Sequence, residues 1–489
     1  MTKGRLKVAA WTNEYIKNDL RNTVQQHVYG QMPIRMIKLP GMNLLSRTGV
    51  VRDITRRILE QVSEAKIEDK TTHVLLREKI SEEDAYHRVI QEVVDNFGQY
   101  AILSHTWLQD EEDSELTYGD LMRNGTEWPS LYAETNGAGY RKVFGFCKIA
   151  HSEGYPYAWM DTVCINQDST SELDESIRSM YRWYQRSSMC MAYLADTASL
   201  SDMGRDRWFT RGWTLQELLA PQKIKFYNKN WKFLGATGEV EPRDSKNSHQ
   251  ECVYDEKNEE AVISVEDIIE EVAGIAAHER IQFMSGMSTT VDVSHRMRWA
   301  AHRTTTRGED QAYCLMGIFG VSFSIAYGEG AERAFFRLIE AILTSFRDLS
   351  DVLVWGGKPI SDEIHSSSLI PSSPKCYLRS PAVGAYFFST FIPAEPLLLT
   401  HIGLRIRVLL IRGEYRSSSP RLVDGADMSI CLKINWNQRP LRWHEYDVFS
   451  ESSTVRLQGN NRELNRQALV LGIWNVEDDS NVVVLPPIP

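Results

Sequence analysis

Trp213 and Glu217 lie four residues apart in the run Trp208-Phe-Thr-Arg-Gly-Trp-Thr-Leu-Gln-Glu-Leu-Leu-Ala-Pro221. On a helix, that spacing stacks an indole and a carboxylate on one face, a single turn apart. Arg211-Gly212 reads as the turn that launches the helix, and Leu215, Leu218 and Leu219 supply its apolar packing. The helix must stop before Pro221, whose ring clashes with a continuing turn. A carboxylate beside a flat ring in an apolar setting can hold a flat ligand next to a charge. The same residues also fit a core tryptophan and a glutamate that is solvated or paired with Arg211.

Other polar groups come at the ends of apolar runs. Tyr100-Ala-Ile-Leu-Ser-His-Thr-Trp107 reads as a buried parallel strand that turns polar at its carboxyl end. Residues 157–160 suit a second buried strand with Asp161 at its end, and residues 190–194 a third that leads to Asp196. Helices are expected between them. Residues 138–153 carry Val143, Phe146, Cys147 and Ala150 on one side, and Ser169-x-x-Glu172 opens a helix with an apolar stripe from Leu173 to Tyr184. This alternation predicts an α/β fold, a parallel sheet flanked by helices. Ligands gather at the carboxyl ends of strands in such sheets, so Ser104, His105, Asp161, Asp196 and the 208–221 turn share one edge. Asp161 lines a pocket or caps the loop 162–168, and His105 handles protons or is a satisfied structural donor. The acidic run 110–115 reads as a solvated loop without the ordered spacing of a calcium site.

Around this core, residues 1–98 read as a mixed, largely helical extension. It contains one strand at 32–39, a helix at 52–64, and a capping box at Ser81-x-x-Asp84 that opens another helix. Residues 223–231 suggest a fourth strand, 237–261 a polar surface insertion, and 265–275 a helix. Thr306-x-x-Glu309 opens a helical pattern through Phe319, and Tyr327-Gly-Glu-Gly330 introduces an amphipathic helix ending near Ser345. The core is thus expected over 99–350, with a linker at 351–375 and a β-rich domain over 376–489. Strands of that domain are expected at 403–410, 428–436, 468–474 and 481–485.

With 489 residues, 42% of them hydrophobic, the chain can bury one large core or several domains. Its net charge of -10 argues against a sequence-independent hold on nucleic acid or anionic lipid. No apolar run reaches bilayer length, and the charged N-terminus has no signal core behind it. Seven cysteines at wide spacings look like reduced thiols. The expectation is a cytoplasmic protein with no membrane partner, no nucleic-acid partner and no bound metal.

Three blocks together resemble the fungal HET (heterokaryon incompatibility) domain. They are Tyr100-Ala-Ile-Leu-Ser-His-Thr-Trp107, then Trp159-Met-Asp-Thr-Val-Cys-Ile-Asn-Gln167 with Ser176-Ile-Arg-Ser-Met-Tyr-Arg-Trp-Tyr184, then Arg211-Gly-Trp-Thr-Leu-Gln-Glu-Leu-Leu-Ala-Pro221. A trailing block, Glu309-Asp-Gln-Ala-Tyr-Cys-Leu-Met-Gly-Ile-Phe-Gly-Val321 with Tyr327-Gly-Glu-Gly330, extends the likeness to about residues 33–355. Leu108 stands where the family usually has glycine. The resemblance implies fungal non-self recognition and regulated cell death. The domain is in turn distantly similar to TIR domains, whose enzymatic members cleave NAD with a glutamate in a Trp-x-x-x-Glu arrangement.

The likeness implies two roles. In one, Glu217 is catalytic and stabilises an oxocarbenium-like transition state as nicotinamide leaves the ribose of NAD. Trp213, Ser104, His105, Trp107, Asp161 and Arg211 then bind the substrate, and self-association completes and switches the site. NAD is here a substrate, and no cofactor is implied. In the other, the domain is a non-catalytic module that oligomerises and recruits an incompatibility partner, with the same residues serving the fold. A metal-dependent hydrolase built on His105 and 110–115 lacks a second ligand set of suitable spacing.

Overall fold

The computed structural model describes residues 13–108, 115–124, 137–237, 264–285, 293–345 and 371–378, and the backbone of strands at 398–400, 403–409, 443–451 and 454–457. The chain divides into two units, Met1–Met284 and Ser285–Pro489.

The first unit begins with helix α1 (Asn13–Gln31), strands β1 (Arg35–Lys38) and β2 (Asn43–Ser46), and helices α2 (Arg47–Gln61), α3 (Glu64–Glu78) and α4 (Glu82–Phe97). Serine precedes three of these helices and caps two of them through its side chain. The Ser46 and Ser81 hydroxyls accept from the Gly49 and Asp84 amides, satisfying donors left open at a helix N-terminus. Next come β3 (Tyr100–His105), α5 (Tyr118–Asn124), α6 (Ala138–Ser152), β4 (Tyr157–Trp159), α7 (Asp161–Cys164), α8 (Thr170–Arg186) and β5 (Met189–Leu194). Two 3-10 turns, Leu200–Arg205 and Arg207–Thr210, lead to α9 (Trp213–Leu219), followed by β6 (Ile224–Asn228), β7 (Phe233–Thr237), α10 (Val265–Ala273) and α11 (Ala277–Met284).

The seven strands form one sheet in the order β2-β1-β4-β3-β5-β6-β7. Its four middle strands are parallel, β4 and β5 flanking β3 and β6 following β5. The expected parallel sheet is therefore the centre of a mixed one. β1 runs antiparallel to β4, and β2 and β7 join as antiparallel hairpin partners, which short connections permit and parallel pairing does not. Every residue of β3 is buried, as a strand covered on both faces requires.

Topology then places the helices. The chain steps one way from β3 to β4, then crosses back to β5 and on to β6. Right-handed crossovers put α6 on one face and α8 and α9 on the other. The loops after β3 and β5 diverge to opposite faces, which opens a switch point at their carboxyl ends. The α6 stripe Val143, Phe146, Cys147 and Ala150 is buried as its spacing predicts, and Trp159 packs edge-on to Trp183 and Tyr184 at 5.5 and 6.0 Å.

In the second unit lie α12 (Val293–Ala301), α13 (Asp310–Tyr313), α14 (Met316–Phe319) and α15 (Ala331–Ser345). The helix expected through Phe319 is thus two short pieces. Gly328 and Gly330, both at positive φ, donate their amides to the Glu309 carboxylate just before α15 begins. Strands β8 (Leu398–Thr400), β9 (Gly403–Leu409), β10 (Trp443–Glu451) and β11 (Thr454–Leu457) form an antiparallel sheet. The strands expected at 428–436, 468–474 and 481–485 fall outside the described residues, as does the insertion expected at 237–261, apart from Thr237, which is buried at the end of β7. Among the described residues no helix is long and apolar enough to cross a membrane.

Candidate functional site

Successive side chains of a strand point to opposite faces of its sheet. Ser104 and His105, the last two residues of β3, therefore serve two different polar clusters.

Ser104 faces α9. Its Oγ donates to Glu217 Oε2 and accepts the Trp208 Nε1 hydrogen at 2.7 Å. Trp208 is aimed by Asp206, whose buried carboxylate takes the amides of Trp208 and Asp196 at 3.0 and 2.9 Å and the Thr197 hydroxyl at 2.9 Å. Asp196 itself pairs with Arg207. The α9 helix follows Gly212, and all of Thr214 to Leu219 is buried. Only 6% of Glu217 is exposed. Burial pushes its carboxyl up to about 8; the Asp161 charge adds to this, while the Ser104 and Tyr184 hydroxyls and the Arg211 charge oppose it. Tyr184 is held beside it by donating to the Leu103 carbonyl at 2.8 Å.

His105 faces α6. Its Nε2 meets Asp161 Oδ1 at 2.8 Å, and its Nδ1 meets the Lys142 ammonium at 2.8 Å. Lys142, 1% exposed, also pairs with Glu115 and donates to the Thr106 carbonyl at 3.3 Å. Asp161 accepts from the Thr162 amide and from the Trp107 indole, each at 2.8 Å. Burial would raise the Asp161 carboxyl, but His105, Trp107 and Lys142 outweigh it and hold the group below the usual carboxylate range. Trp107 itself is 41% exposed.

Of the seven candidates, Ser104 and Glu217 bond directly, as do His105, Trp107 and Asp161. The two sets lie on either side of β3 and are coupled by charge, through the effect of Asp161 on Glu217. Trp213, half-buried, sits one turn before Glu217 on α9, and half-buried Arg211 precedes that helix. Arg211 acts on Glu217 through its charge, while Ser104 supplies the hydrogen bond. Asp161 accepts the Thr162 amide in the first turn of α7 and anchors His105 and Trp107.

Glu115 corrects the expectation of a solvated acidic loop. It is buried against Lys142, and its carboxylate also accepts from the Leu108 amide at 2.8 Å. Residues 110–114 lie outside the described residues. Lys142, Trp208 and Asp206 escaped the sequence reading. A signal existed for Lys142, which stands four residues before Phe146 and eight before Ala150, inside the apolar stripe of α6. Among the described residues no group of three or more His, Cys, Asp or Glu side chains is placed to hold a metal ion.

Residues 100–204 match the family described as Heterokaryon incompatibility protein (HET). The chain carries a HET domain. The match includes Ser104, His105, Trp107, Lys142 and Asp161 and ends before α9. Over 267 residues the chain is 36% identical to the vegetative incompatibility protein HET-E-1 of Podospora anserina, which takes in 52% of this chain and 17% of that protein. The chain thus shares only a small part of that relative's length. No solved structure matches.

Proposed function

We propose that this protein acts in fungal heterokaryon incompatibility as a cell-death effector, and that its HET domain cleaves NAD at the nicotinamide–ribose bond. The observation that carries this reading is the Glu217 carboxyl, buried beside Ser104 at the carboxyl end of the central strand. A positively charged nicotinamide ring brought near that carboxyl favours its ionised form, so binding draws the proton off. As the C–N bond breaks, positive charge spreads over the ribose, and a carboxylate already desolvated stabilises it without reorganising. Nicotinamide leaves as the neutral base with the electron pair of the broken bond, and water adds to the ribose carbon, giving up one proton to solvent. Ser104 holds the carboxyl in place, Trp213 and Trp107 offer ring faces, and Asp161 and Arg211 supply a ribose contact and a charge. Self-association of the domain would complete the site and make it switchable.

The test is NAD consumption by the purified full chain, wild type against Glu217→Gln, with viability scored in a fungal host expressing each. The expected result is a loss of about a hundred- to a thousandfold in rate, with restored viability. Cell killing that survives the substitution, with NAD unchanged, would leave a signalling scaffold in its place.

A further inference from the structure

We propose that Lys142 is a positioning residue: it fixes the ring hydrogen of His105 on Nε2 and, through His105 and Asp161, pins the exposed Trp107 indole as a ring platform at the rim of the site. An ammonium has three hydrogens to donate and no lone pair to accept with. Lys142 Nζ meets two acceptors, Glu115 Oε1 and the Thr106 carbonyl oxygen, and lies 2.8 Å from His105 Nδ1. Burial pulls the Lys142 ammonium below its ordinary range, and its ion pair with Glu115 is the chief contact that opposes the loss of its proton. The Thr106 carbonyl also lies 3.2 Å from Nδ1 and would take a hydrogen from it, but the ammonium of the ion pair is nearer, at 2.8 Å, and has no lone pair, which makes Nδ1 the acceptor. The ring hydrogen then sits on Nε2, facing Asp161 Oδ1. Asp161 is left with Oδ2 for the Trp107 indole hydrogen. The chain of donors runs in one direction from ammonium to imidazole to carboxylate, and the indole closes it from the far side.

Trp107 would otherwise be a free aromatic side chain at the surface. Pinning its ring removes the ordering cost that a flat ligand would have to meet on stacking there. The ligand class this selects is a planar aromatic ring, a base or a nicotinamide. That last step rests on the NAD-cleaving reading, but the relay itself does not.

The experiment reads the relay without substrate. In the full chain labelled with nitrogen-15 at histidine and tryptophan, resonances of His105 and Trp107 are assigned by their loss in His105→Gln and Trp107→Phe. The wild type is expected to show His105 protonated on Nε2 only. Lys142→Met paired with Glu115→Gln removes both buried charges together, which preserves folding better than stranding one. That variant is expected to lose the single tautomer and to exchange the Trp107 indole hydrogen about tenfold faster. Wild-type His105 carrying its hydrogen on Nδ1 overturns the proposal, and that measurement needs no variant to fold. So does a folded double variant whose tautomer and exchange match the wild type. NAD cleavage can fail while these readouts stand, and the reverse.

Discussion

Ser104 and Glu217, 113 positions apart, meet in a hydrogen bond between the central strand and α9, with the Trp208 indole donating to the same hydroxyl. One oxygen thus serves as acceptor for one partner and donor to the other. Replacing Ser104 by Ala strands both a buried indole N–H and a buried carboxyl. We expect a loss of about 1–3 kcal/mol in urea unfolding. The serine also pulls the Glu217 carboxyl down, so its removal should move that group's titration upward.

The Glu217 carboxyl also sets a pH dependence of stability. Its value in the folded protein, about 8, exceeds the ordinary 4.5, so the folded state binds the proton more tightly than the unfolded one. Stability from this group is full below the ordinary value and is lost as pH rises from about 5 to about 8. Glu217→Gln carries no such proton. Thermal unfolding should show the variant gaining on wild type across that window, by at most a few kcal/mol, and holding level above it. Equal curves at pH 5 and pH 8.5 would remove the raised titration.

If the ionised form is the active one, NAD cleavage should follow the same group with the opposite trend. At low substrate, kcat/KM reports the free protein, so it should rise with pH and level off above about 8. Asp161→Asn removes a negative charge that raises the Glu217 carboxyl. The midpoint should then shift down. An unmoved midpoint would mean that the two clusters flanking β3 act independently.

Gly145 gives a prediction away from the site. A methyl group there would lie 2.1–2.7 Å from atoms of the Trp231 indole. That indole is packed against Phe146, Tyr193 and Tyr227, so it has little room to retreat. Alanine improves helix propensity by about 1 kcal/mol over glycine, yet overpacking costs about 1–3 kcal/mol. Gly145→Ala should therefore lower the melting temperature.

Much of the core was legible in the sequence because its signals are local. The apolar run ending in Ser104 and His105, and the short helix stopped before Pro221, needed only pattern and a proline. The bond from Ser104 to Glu217 was not legible, since it depends on α9 crossing to the face that Ser104 occupies and His105 does not. Grouping both residues in one pocket overlooked that alternation. β2 was missed because its four residues show no buried pattern of their own and are set by pairing with β1. Lys142 was read past because a charge within an apolar stripe looks like a breach of the stripe, whereas its ion-pair partner Glu115 lies 27 positions earlier.

The strict alternation at the end of β3 has one more consequence. A single-residue insertion or deletion inside that strand would rotate everything beyond it by half a turn. The imidazole would come to rest under the Trp208 ring, and the hydroxyl would confront the Lys142 ammonium. Both halves of the molecule's polar interior would be mismatched by one indel, so length variation has no foothold between Tyr100 and His105.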